Sequence, residues 1–154
     1  MDEEISYYSI YHELQKKLII PRPIFISKMI PKIPKENHKG NKEYKLKLNY
    51  NPMDKTELRE QREQKKKEKI ATQLFYRLLE GNGKAIYIIG VRDNGENIGI
   101  SLKETFESIH FLIDSCKIIQ AKIRNINIYL GKEGYITTLI IHLAVDTNYS
   151  LLLF

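Results

Sequence analysis

The apolar residues of this chain change period along its length, and each period predicts an element. Tyr7, Tyr11, Leu14 and Leu18 share one helical stripe, which predicts a short helix over 7–18. Prolines 21, 23, 31 and 34 follow, and proline removes backbone donors, so no regular element is expected across them. The apolar patch between these prolines, Ile24, Phe25, Ile26, Met29 and Ile30, is expected to pack on a neighbouring surface. Residues 31–41 read as a polar linker. From 43 to 49 the pattern alternates, with Tyr44, Leu46 and Leu48 on one side and Lys45 and Lys47 on the other, as in a half-buried strand. Asn51-Pro52 breaks it.

Residues 54–80 predict a long helix in two parts. The first, through Lys69, alternates acid and base and reads as a solvated extension held by i,i+4 pairs. The second carries Ile70, Leu74, Phe75, Leu78 and Leu79 on a face that must lie on a sheet. Gly81-Asn82-Gly83 ends it. A strand over 84–91 follows, then Asn94-Gly95, which predicts a type I′ hairpin with its return strand at 97–101. Ser101 and Glu104 form a capping box, opening a helix that buries Leu102, Phe106, Ile109, Ile113 and Cys116. Strands over 120–130 and 135–145 complete the order. The expected fold is α+β: a two-layer sandwich with a mostly antiparallel sheet of about five strands and two helices on one face. Residues 1–41 form an N-terminal arm with a short helix and a Pro-rich basic linker, 42–146 the α+β domain, and 147–154 a tail or truncated edge.

Composition narrows the chemistry. One cysteine among 154 residues excludes a disulfide framework and a cysteine zinc site, and fits a reducing, cytoplasmic setting. No stretch approaches the roughly 20 apolar residues of a membrane span, and the acidic start resembles neither a signal nor a transit peptide. The net charge of +6 is concentrated. Residues 14–47 carry ten bases against Glu36 and Glu43, whereas 81–154 carry seven of each sign. The bias to isoleucine, lysine and asparagine is what an AT-rich genome writes, so the basic balance is weaker support for a polyanion partner than its size suggests.

No Walker-type G-x-x-x-x-G-K-[ST] is present: Gly83-Lys84 and Gly131-Lys132 lack its other residues. His12, His38, His110 and His142 share no ligand spacing, and Cys116 lies on a buried stripe. Glu104, Glu107 and Asp114 share one helix and could in principle serve a metal-dependent nuclease, but Glu104 is already the capping partner. The expectation is therefore no catalytic, cofactor-binding or metal site in this chain. The candidate RNA or ribosome contacts are Lys45 and Lys47 on the strand, Lys65, Lys66 and Lys67 in the densest basic run, and Arg92 and Asn94 at the hairpin tip. These suit phosphate contact; no aromatic interleaves with the run, so base stacking on it is not expected.

Three phrases in order, GN-x-EYKLKL from Gly40, LLEGNGKA from Leu78 and YIIGVRDNGENIGIS from Tyr87, give a recognisable set. It resembles the domain preceding the GTPase domain in the GTP-binding protein 1 and 2 family, translational GTPases related to elongation factor Tu. The likeness covers roughly residues 31 to 143. It implies a parent that binds GTP with magnesium and acts on the ribosome, and a non-catalytic accessory domain that contacts its own GTPase domain, the ribosome or RNA. The charged stretch from Lys55 to Lys69 is longer than the family pattern, and every nucleotide motif would lie beyond Phe154. A shared G-V-x-D-x-G phrase keeps open a stand-alone nucleic-acid-binding module like Alba or Schlafen domains, or a protein-interaction domain.

Overall fold

A computed structural model describes residues 25–27, 32–48 and 59–144. The expected helix at 7–18 and the tail at 147–154 lie outside them. In chain order the elements are β1 (Phe25–Ser27), β2 (Lys42–Lys45), α1 (Arg59–Glu80), β3 (Lys84–Ile89), α2 (Leu102–Ile118), β4 (Ala121–Leu130) and β5 (Tyr135–Leu143). They form an α+β fold with one sheet, ordered β1-β4-β5-β3-β2. Four strands make its body, and the three-residue β1 extends one edge.

The sheet is mixed, with its longer pairings antiparallel and its short edge pairings parallel. β3 and β4 both pair antiparallel with the central β5. At the edges β1 runs parallel to β4 and β2 parallel to β3. Two expectations are corrected here. A strand does form among the prolines, because three residues between Pro23 and Pro31 suffice for an edge strand, where unpaired donors do no harm. The expected return strand at 97–101 is absent: only an isolated Ile100–Tyr135 bridge marks it.

Its loss begins in the turn. Gly95 donates to the Arg92 carbonyl at 2.9 Å and Arg92 to the Glu96 carbonyl at 3.0 Å. Gly95 has φ of 90°, while Asn94 does not have a positive φ. This is a three-residue loop with a bulge, not the type I′ turn. The returning backbone touches Gly90 through Gly99, then crosses to the β4–β5 connection, where Glu133 donates to the Ile98 carbonyl at 2.7 Å.

The central strands bury both helices' apolar stripes. Leu74 and Leu78 of α1, Ile109 and Leu112 of α2, and Tyr87, Ile123, Ile126, Ile128, Leu139 and Ile141 of the sheet are all fully buried in one core. Each such side chain contributes roughly 1.5–3 kcal/mol by leaving water. Tyr44, Ile88, Val91 and Ile136 form a smaller cluster, with Ile33 packed against it. Tyr44 and Leu48 therefore enter different clusters, although the alternation placed them on one face. β2 ends at Lys45, and the chain turns so that Leu46 is exposed while the Leu48 amide donates to Ser108 Oγ on α2 at 2.9 Å.

Local signals fix both helix ends. After α1 the Gly83 amide reaches the Leu78 carbonyl at 2.7 Å and the Asn82 amide the Leu79 carbonyl at 3.3 Å, with Asn82 at φ 54°. That is a Schellman cap with asparagine as its left-handed residue. At α2 Ser101 Oγ accepts from the Glu104 amide at 3.1 Å, and Glu104 Oε1 accepts from the Ser101 amide at 3.3 Å. Ser101→Ala is expected to cost about 1 kcal/mol of stability, read as a lower urea midpoint at unchanged slope.

Candidate nucleic-acid interface

The turn at Leu46 carries the chain from the end of β2 toward the start of α2, so Lys45 and Lys47 stand where three elements converge. Lys47 Nζ meets Glu104 Oε2 at 3.0 Å. This contact, together with the Ser101 cap, holds the Glu104 carboxyl below its usual range. Lys66 joins the cluster from α1. Partial burial pushes its ammonium below the ordinary lysine value, and the charges of Lys47 and Lys45 push it further. Lys66 on the helix thus meets the like charges of a strand lysine and a turn lysine at one end of the fold.

The structure divides the remaining candidates. Lys67 turns inward: its Nζ lies 2.9 Å from Asp114 and 3.3 Å from Glu63. Burial opposes its charge, but the two carboxylates outweigh that and hold it above the usual value. Lys67 is thus held against Asp114 of α2, as Lys47 is against Glu104, but is less exposed than Lys47. Lys65 is exposed on α1. Arg92 and Asn94 are exposed, but Asn94 Oδ1 accepts from the Glu96 amide at 2.9 Å. The loop tip also carries the arm, since the Glu36 amide donates to the Asp93 carbonyl at 2.7 Å. Gly90 and Val91 both donate to the Lys45 carbonyl, at 2.8 and 3.4 Å, so the backbone just before Arg92 adjoins the end of β2.

Lys66 and Lys67 do lie over an aromatic ring, that of Phe111 on α2, at 5.9 and 5.5 Å from its centroid. Phe111 is buried, so its ring holds the lysine stems and offers no base-stacking face. The helix carboxylates do not assemble. Glu104 is engaged by Lys47 and Asp114 by Lys67, and among the described residues no group of three His, Cys, Asp or Glu side chains could hold a metal ion. Cys116 is buried and burial pushes its thiol up to about 12, which suits a core residue rather than a nucleophile. Gly83 and Lys84 are occupied by the helix cap and the start of β3, not by a phosphate loop. Among the described residues no helix is long and apolar enough to cross a membrane.

Known proteins resemble part of this chain. Over 82 residues it is 42% identical to GTP-binding protein 2 of Mus musculus. GTP-binding protein 2 of Homo sapiens matches to the same degree. The match takes in 53% of this chain and 12% of either relative, so the chain spans a small part of the proteins it resembles. No protein-family model matches, and no solved structure does. The likeness to GTP-binding protein 2 supports kinship with GTP-binding proteins, and agrees at that level with the motif order from Gly40 to Ser101.

A second group was missed by sequence reading: the buried side chains Glu43 and Arg77, with Glu36 of the supposed linker. Arg77 is 5% exposed and sits between the apolar stripe positions Leu74 and Leu78. A charge at stripe spacing was the available signal. Arg77 Nη2 lies 3.1 Å from Glu43 and 3.8 Å from Glu36, while Nη1 donates to the carbonyls of Gly40 and His38 at 2.9 and 3.3 Å. This arginine ties residues 36–43 onto the domain.

Proposed function

We propose that this chain is a non-catalytic accessory domain of a GTP-binding, translation-factor-like protein, and that its Lys45, Lys47 and Lys66 face contacts RNA phosphates. The observation that carries the reading is the gathering of three lysines from β2, the turn after it and α1, where Lys47 and Lys45 lower the ammonium of Lys66 and Lys47 also meets Glu104 at 3.0 Å. Like charges held together at the surface raise the energy of the free protein, and a phosphate backbone relieves that repulsion on binding. The similarity to GTP-binding protein 2 supports the parentage.

The test compares Lys45→Glu/Lys66→Glu with the unaltered chain in binding to ribosomes and to single- and double-stranded RNA. Lys122→Glu, at the far end of the sheet, is the control. The double variant is expected to bind at least tenfold more weakly, with a log–log salt dependence shallower by about 2. The control should leave both unchanged. Equal loss in the control would reduce the effect to net charge, and unchanged binding in the double variant would remove the RNA reading. Binding to RNA but not to ribosomes would favour a stand-alone nucleic-acid module.

A further inference from the structure

We propose that Glu36, Glu43 and Arg77 form a proton-dependent latch that fastens residues 32–37 over the outer edge of β2. The geometry is that of a clasp. Glu36 Oε2 accepts from the Tyr44 amide at 2.6 Å, on the side of β2 away from β3. Tyr44 Oη donates to the Pro34 carbonyl at 2.8 Å, and the Glu36 amide to the Asp93 carbonyl at 2.7 Å. A Cβ on Gly95 would lie 2.4 Å from the Ile33 carbonyl, so the loop admits the arm only because that residue is glycine. The arm thus takes the place a further strand would occupy, and a carboxylate supplies the acceptor that a strand carbonyl would supply.

Two carboxyl groups share one cation here. Glu36 and Glu43 both approach Arg77 Nη2, and their side chains are each 11% exposed. The other titratable groups facing Glu36 are Asp93 from the loop, Tyr44 from β2 and Tyr87 from β3. Asp93 adds a like charge, and burial holds both tyrosine hydroxyls protonated, above their ordinary value. Burial and the Glu43 contact raise the Glu36 carboxyl to about 7, against the pull of the Tyr44 amide. A protonated Glu36 donates its O–H to Glu43 and leaves Arg77 to neutralise one carboxylate.

The sign follows from linkage. Docking favours the protonated form, so it is tightest below the ordinary carboxylate range. It weakens by up to about tenfold per pH unit above that range and levels off beyond about pH 7. The latch is closed in acid and loosens toward neutrality, freeing the Tyr44 amide and the β2 edge.

The experiment is an NMR titration of the 154-residue chain from pH 4.5 to 8, following the Glu36 side-chain carbon and the exchange protection of the Tyr44 amide. Glu36 is expected to titrate well above 5, and Tyr44 protection to fall at least tenfold across the range. Glu36→Gln, which keeps an acceptor for Tyr44 and gains a donor for Glu43, should hold protection constant with pH. Glu43→Gln, which removes the neighbouring charge, should bring the Glu36 midpoint down by at least one pH unit. A Glu36 midpoint below 5, or the same fall in Tyr44 protection in the Glu36→Gln variant, would overturn the latch.

Discussion

Replacing Arg77 by alanine is expected to destabilise the chain by about 3–5 kcal/mol, the usual consequence of removing one partner from a buried ion pair. The guanidinium is 5% exposed and makes four contacts, to two carboxylates and two backbone carbonyls. Its loss leaves Glu43, itself 9% exposed, without a cation, and leaves the Gly40 carbonyl without its donor. Since native domains are stable by roughly 5–15 kcal/mol, such a change leaves a small margin. The loss should be greater at pH 8 than at pH 5, because a protonated Glu36 leaves Arg77 only one carboxylate to neutralise. Arg77→Lys should recover part of it, as a single ammonium keeps the charge but cannot reach both carboxylates and both carbonyls. Urea unfolding of the three proteins at both pH values decides this; an alanine variant within 1 kcal/mol of the parent, on the scale of an ordinary surface change, would show that the arginine holds nothing.

Gly99→Ala is expected to be similarly severe, for a steric reason. Gly99 has φ of 90°, and an added Cβ would lie 2.4 Å from the Gly134 carbonyl carbon. Gly134 in turn has no room: its Cβ would lie 2.4 Å from the Ile100 carbonyl oxygen. The obstructing atoms are backbone, which cannot swing aside as a side chain would. Backbone strain and overpacking each cost about 1–3 kcal/mol, so about 3 kcal/mol or more is expected together. Thermal unfolding reads it directly. Gly40→Ala is the control, since it shares a positive φ but meets nothing within 4 Å, and it should cost less.

What could be read from sequence was what depends on neighbours in sequence. The Ser101 capping box was legible because both partners lie within one turn, and α2 begins where it predicts. The stripe through Ile70, Leu74 and Leu78 placed the buried face of α1 correctly. The hairpin was half legible: Asn94-Gly95 marks a turn, but its type depends on Ile33 and Pro34 lying against Gly95, a contact from far along the chain. The alternation from Tyr44 to Leu48 failed for a similar reason, because the pull of Ser108 on the Leu48 amide ends the strand early. In the basic cluster, composition named the lysines without telling them apart. Only the packing of α1 on α2 separates Lys67, bound to Asp114, from Lys66, set beside Lys45 and Lys47.

The order β1-β4-β5-β3-β2 also bears on how the chain assembles as it leaves the ribosome. β2 has its partner β3 within the next several dozen residues, but β1 waits about a hundred residues for β4, a separation that makes its pairing slow. β4 and β5, by contrast, are joined by a short turn and close on each other as soon as they emerge. The centre of the sheet is therefore made after both of its edges, and the edge segments must remain soluble until it arrives. The prolines around β1 suit that delay, since they deny an early strand the ladder it would otherwise form with a neighbouring chain.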